Sequence, residues 1–187
     1  MEKMALEQEV VKKELRKEIK KKAAALPEDY CKEADEIIFK KVISMPEYEK
    51  AEVIFCYVGT KREINTYPIL NSILESGKRL GVPKCLSYGV MEVYEIENFR
   101  QLVSGAYGIM EPAKECKRIE PEEIELAIVP CLTCSPDGKR LGYGGGFYDR
   151  YLPKLHCPKM VLCRKQLMTE DIPMDEFDVV LDGVISD

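Results

Sequence analysis

The chain has 187 residues, 45% of them hydrophobic and 33% charged, with a net charge of −5. That length suits one compact domain with a real core, and the acidic balance argues against a nucleic-acid binder, which carries a basic excess. No apolar run approaches the roughly 18 residues of a membrane span, and the charged N-terminal stretch lacks a signal peptide's apolar centre, so a cytoplasmic protein without membrane partners is expected.

The first predicted helix covers about 5–25 and is limited by Pro27. Val11, Leu15 and Ile19 form a narrow apolar stripe, and Lys12, Arg16 and Lys20 a parallel basic one. A second helix, about 29–44, turns Ala34, Ile37, Ile38 and Val42 to one face and stops near Pro46. "AEVIFCYV" is a buried strand. A short helix follows, with Thr66 as its cap, Pro68 in its first turn and Gly77 at its end. "RLGVPKC" and "MEVYEI" read as strands, and "IELAIVPCL" (124–132) as one covered on both faces. After the turn "SPDGKR" and a glycine loop, a helix starts near Phe147, and "KMVLC" and "FDVVLDGVI" close the chain as strands. Strands alternating with helices imply an open α/β sheet, mostly parallel, with helices on both faces. In such sheets ligands bind beyond the carboxyl ends of the strands.

Eight cysteines without a secretory signal are expected as reduced thiols. "CLTC" (131–134) has the spacing of a redox pair or half a zinc site, with His156, Cys157 or Cys163 to complete it. However, the second cysteine runs into "SPDG" rather than opening a helix, and no second CxxC follows. His156 is the only histidine, so a serine–histidine mechanism has little support.

"GYGGGFYDR" (142–150) carries four glycines in five residues. It is neither a Walker loop nor a Rossmann fingerprint, because Arg140 follows Gly138-Lys139 and Phe147 stands where a third glycine belongs. Consecutive glycines nevertheless turn backbone N–H groups inward to form an anion site, and a helix start adds positive charge. A phosphate is the natural guest. Asp149 directly behind the loop calls for a magnesium ion, which takes carboxylate and phosphate oxygens together. Asp178, placed in an apolar strand, is a candidate second ligand or a group behind it. Glu63, at the carboxyl end of the first strand, is able to accept two hydrogen bonds from a donor-rich ring edge.

"DGKRLGYGGGFYDRYL" (137–152) closely resembles the signature of 5-formyltetrahydrofolate cyclo-ligases. "KKELRKEI", "REINT", "YGIMEP" and "IPMDEFDVVLDGVI" resemble further segments of that family in the right order. The resemblance implies a single domain over 1–187, an open three-layer α/β/α sandwich of Rossmann-like type with a mostly parallel sheet. It implies Mg2+- and ATP-dependent conversion of 5-formyltetrahydrofolate to 5,10-methenyltetrahydrofolate; separately, a monomer is expected. Carried over, Lys12, Lys13 and Arg16 contact ATP, which Arg140, Leu141, Gly142, Tyr143, Gly144, Gly145, Gly146, Phe147 and Tyr148 wrap. Val58, Glu63, Tyr143, Phe147 and Tyr148 contact folate, with Glu63 on the pterin edge, and Asp149 and Asp178 serve the metal. A non-catalytic nucleotide- or folate-binding protein of the same fold, a related ligase acting on another formamide and a CxxC redox or zinc protein remain open. "LTCSPDG" departs from the family, which often has an apolar-Phe-Asp stretch there.

Overall fold

The computed structural model describes residues 2–187 of the expected domain, Met1 lying outside the described residues. In chain order the elements are α1 (Glu2–Ala24), α2 (Glu28–Ser44), α3 (Pro46–Lys50), β1 (Val53–Cys56), α4 (Tyr67–Glu75), β2 (Arg79–Ser87) and β3 (Val90–Ile96). Then come β4 (Leu102–Ser104), β5 (Met110–Pro112), β6 (Arg118–Ile119), β7 (Leu126–Val129), β8 (Thr133–Cys134), β9 (Arg140–Leu141), α5 (Phe147–Tyr151), β10 (Lys159–Leu162) and β11 (Gly183–Ile185). Among the described residues no helix is long and apolar enough to cross a membrane.

The seven-stranded sheet has the order β11-β10-β7-β1-β2-β3-β6. The five strands from β11 to β2 are parallel, while β3 and β6 add an antiparallel edge. Strand alternation divides β1 between two cores. Ile54 and Cys56 pack with Ile38 and Val42 of α2 and Ile69 and Ile73 of α4. Val53 and Phe55 face the other way, towards Ile19 of α1 and Tyr151 of α5. The expected α/β/α layering is therefore present, with α1 and α5 on one face and α2 and α4 on the other.

Several local expectations are corrected. The strands at 51–58 and 124–132 shorten to Val53–Cys56 and Leu126–Val129, because their last residues leave the sheet to build loops. In "FDVVLDGVI" only Gly183–Ile185 is strand, so Asp178 lies in a turn. Val11 is exposed, and the apolar face of α1 rests on Leu15, Ile19 and Ala23. Thr66 makes no side-chain cap. The chain also starts a further short helix at Pro46, where a stop was expected.

From β1 the chain moves through α4 to β2 on one side, and it later lays β7 on the other side. The connections leaving β1 and β7 diverge, and the crevice between their carboxyl ends is the switch point where such sheets bind ligands.

Candidate active site

At the exit of β1 the fully buried Thr66 staples the chain: its hydroxyl donates to the Tyr57 carbonyl at 2.9 Å and accepts from the Gly59 N–H at 2.8 Å. A Cβ at Gly59 would collide with the Ile64 carbonyl, so the turn needs glycine. The Thr60 N–H donates to a Glu63 carboxylate oxygen at 2.9 Å. Arg164, itself paired with Asp35 at 2.8 Å, donates to the Glu63 carbonyl at 3.0 Å. Glu63 is thus fixed from both sides.

At the exit of β7 the β8–β9 hairpin brings Arg140 back beneath the glycine loop. Arg140 is buried, donating to the Pro130 carbonyl at 3.2 Å and to Asp149 at 2.8 Å, with its guanidinium 5.4 Å from the Tyr148 ring. Its Nε has no hydrogen-bond partner. Gly144 and Gly146 take φ of 98° and 64°, a region open chiefly to glycine. Arg16 of α1 donates to the Gly142 carbonyl at 3.0 Å, and Arg150 to the Gly145 carbonyl at 3.2 Å. The loop's carbonyls therefore point at protein cations. Among the described residues, none of the backbone N–H groups of 142–146 has an internal partner. This is the free-donor arrangement that an anion site needs. Because α5 has only five residues, the loop donors rather than a helix dipole carry that argument.

These two exits wall one cavity of about 550 Å3, within the usual range for a small-molecule site. Of the residues expected in a site, Val58, Glu63, Arg140 and the whole run from Gly142 to Asp149 line it. Leu141 does not, being buried in the core. Lys13 is exposed on α1. Lys12 is buried and paired with Asp175 at 2.6 Å and with Asp178. Burial opposes the Lys12 charge, but the two carboxylates outweigh it and hold its pKa above the ordinary value. Burial likewise opposes ionisation of Asp175, yet the Lys12 ammonium keeps that carboxyl below its ordinary value. Asp178 accepts from both Lys12 and the Asp175 N–H. It is committed to α1 rather than to the cavity wall.

The cavity is electrostatically divided. Burial, then the charge of Glu63, pushes up the phenols of Tyr57, Tyr143 and Tyr148, which stay neutral donors around that carboxylate. Arg140, Asp149 and the loop donors line the same cavity, and Tyr148 stands beside both groups, under the charge of Glu63 and with its ring 5.4 Å from the Arg140 guanidinium. Asp149 gives one oxygen to Arg140, and its second has no internal partner among the described residues. That free hard oxygen beside an anion loop fits a magnesium ion.

Sequence reasoning missed Glu111 and Cys85, which line the same cavity. Glu111 is buried and accepts the Cys85 N–H at 3.2 Å. Burial, then the Glu111 charge, pushes the Cys85 thiol up to about 11. Glu111 sits within "YGIMEP", a segment that carries part of the resemblance, and a carboxylate before proline in an apolar run was the available signal.

Residues 8–187 match the sequence profile of the 5-formyltetrahydrofolate cyclo-ligase family. A probable 5-formyltetrahydrofolate cyclo-ligase of Schizosaccharomyces pombe is 31% identical over 80% of this chain and 81% of its own length. Another, of Caenorhabditis elegans, is 30% identical over 94% of this chain and 92% of its own. The solution structure of the Aquifex aeolicus 5,10-methenyltetrahydrofolate synthetase superposes with a TM-score of 0.84 at 30% identity, covering 94% of this chain and 89% of that one. The glycine loop, the switch-point cavity and a match across nearly the whole length converge: this chain belongs to the 5-formyltetrahydrofolate cyclo-ligase family of ligases.

Proposed function

We propose that the cavity carries out the family's reaction, the ATP-dependent closure of 5-formyltetrahydrofolate to 5,10-methenyltetrahydrofolate with release of ADP and phosphate. One observation carries the reading. A single cavity is lined by a fixed carboxylate among neutral phenols, which we take as one end, and by unpartnered backbone donors with Arg140 and Asp149, which we take as the other. The first end matches the donor edge of a pterin, which Glu63 accepts while Val58 and the tyrosines enclose the ring. The second end matches a triphosphate: Gly142 to Gly146 offer N–H groups, Arg140 offers its free Nε, and Arg16 holds the loop in shape.

The formamide oxygen of the substrate is a poor leaving group. In this reading it attacks the γ-phosphorus of ATP and the bond to ADP breaks, giving an iminophosphate. The second folate nitrogen then attacks the formyl carbon, the ring closes, the C–O bond to phosphate breaks, and the nitrogen's proton leaves to solvent or to the departing phosphate. Such transfer depends on positioning and charge neutralisation rather than on a protein nucleophile. Asp149 would hold magnesium, which when bound neutralises phosphate charge. We assign Asp178 and Asp175 to anchoring Lys12, since that is where their hydrogen bonds go. The cavity takes two small molecules, ATP and the folate.

The test is spectrophotometric. Purified protein is mixed with 5-formyltetrahydrofolate, ATP and magnesium, and the methenyl chromophore is followed with each component omitted in turn. Absorbance should grow only in the complete mixture. None from folded protein would leave the phosphate loop standing and overturn the substrate.

A further inference from the structure

The CxxC of the sequence gains a third member in the fold. The sulfurs of Cys131, Cys134 and Cys163 all lie within 4.8 Å of one another. Topology imposes this meeting. β7 and β10 pair in parallel with Val129 opposite Val161, and the same register carried two residues onward sets Cys131 beside Cys163. The β8–β9 hairpin folds Cys134 back onto both. Cys134 and Cys163 are buried and Cys131 is half-buried. Among the described residues no other group of three His, Cys, Asp or Glu side chains crowds its ligand atoms this closely.

A lone buried thiol is adequately described as a small apolar side chain. Three on one point meet a stricter description. A zinc-like ion with bonds of about 2.3 Å to sulfur places its ligands roughly 3.8–4.0 Å apart. Closing to that spacing from at most 4.8 Å takes small side-chain rotations and leaves the strands in place. Beside two of the three sulfurs there is room for a further small ligand. A small cavity of about 30 Å3 is lined by Cys131 and Cys163 together with Arg62, Glu63 and Arg164, enough space for one water. The two arginines oppose the excess negative charge of three thiolates on a dication.

We propose that Cys131, Cys134 and Cys163 form a binding site for one soft, thiophilic cation of the zinc and cadmium class, with water as the fourth ligand. Binding forms three sulfur–metal bonds and releases the three thiol protons to solvent. The ion would tie the exits of β7 and β10 to the hairpin that carries Arg140. Soft sulfur ligands reject magnesium, so this site is separate in chemistry and place from Asp149.

The test needs no turnover. Full-length protein is reduced, freed of thiol reagent under anaerobic conditions, and titrated with Cd2+ alone. An ultraviolet cadmium–thiolate charge-transfer band should saturate at one ion per chain, with a raised Tm. Cys131→Ser, the half-buried member, should weaken binding by more than the roughly 10–100-fold that loss of an outer-shell partner costs. Cys163→Ser should do the same, whereas Cys116→Ser should leave the titration unchanged. Should one of the first two variants fail to fold by circular dichroism, the other decides. Absence of the band in wild type overturns the site, as does a band that survives in a folded Cys131→Ser or Cys163→Ser protein or disappears in Cys116→Ser.

Discussion

The guanidinium of Arg140 and the carboxylate of Asp149 meet at 2.8 Å on the cavity wall, each with one polar atom left over. The pair holds both groups in place, and under the proposed function the unpartnered Nε and carboxylate oxygen are the groups left for phosphate and cation. Asp149→Asn keeps the shape and removes the charge. It should lower kcat/KM by on the order of a hundredfold or more, the scale set by loss of one preorganised electrostatic group. Folate binding by equilibrium dialysis should be retained. Loss of both would show that Asp149 only supports the fold.

Glu63 accepts a loop N–H and lies among three phenols, far from the loop donors in role. Glu63→Gln should weaken 5-formyltetrahydrofolate binding by about 1–3 kcal/mol, the worth of a charged hydrogen bond, and leave the Kd for ATP close to wild type. Equal weakening of both ligands would remove Glu63 from the pterin end.

Lys12 and Arg16 stand four residues apart on α1 and do different work. Lys12→Met leaves Asp175 and Asp178 facing each other without a cation, and should cost about 1–3 kcal/mol of stability, read as a fall of about 2–4 °C in Tm per kcal/mol. Arg16→Ala releases the Gly142 carbonyl, and should raise the KM for ATP with a smaller effect on Tm. The split between calorimetry and kinetics checks both assignments.

The Cys85 thiol, with a pKa raised to about 11 by burial and Glu111, is favoured in its neutral form by the fold. Thiolate appears as pH rises through that value rather than through the ordinary 9.0. At pH 8 its alkylation should be roughly a hundredfold slower than in the denatured chain, followed by peptide mass spectrometry. Glu111→Gln should speed it. A Cys85 rate in the folded enzyme equal to that in denaturant would refute the burial argument.

What the sequence made legible follows how local each signal is. The glycine loop, the helix stripes and the strand runs are read within a dozen residues, and the sheet order supplied their meeting point. The basic stripe on α1 was legible, but the carboxylate that takes up Lys12 stands 163 residues further on, beyond any periodicity. Thr66 looked like a cap because it precedes a helix. Its hydroxyl instead serves the strand exit behind it, a choice made by tertiary packing. Cys163 was one of three residues able to complete the CxxC by spacing, and strand register rather than spacing selects it over His156 and Cys157.

The clasp between Lys12 and the 175–178 turn also bears on biogenesis. Lys12 and Asp178 are separated by 166 residues. A ribosome adding about 5–20 residues per second delivers the second roughly ten to thirty seconds after the first. Through that interval Lys12 lacks both carboxylates that clasp it, while Arg16 already has its loop partner, the Gly142 carbonyl, 126 residues on. The clasp therefore closes only once residues 175–178 have been made, well after the helix that it holds.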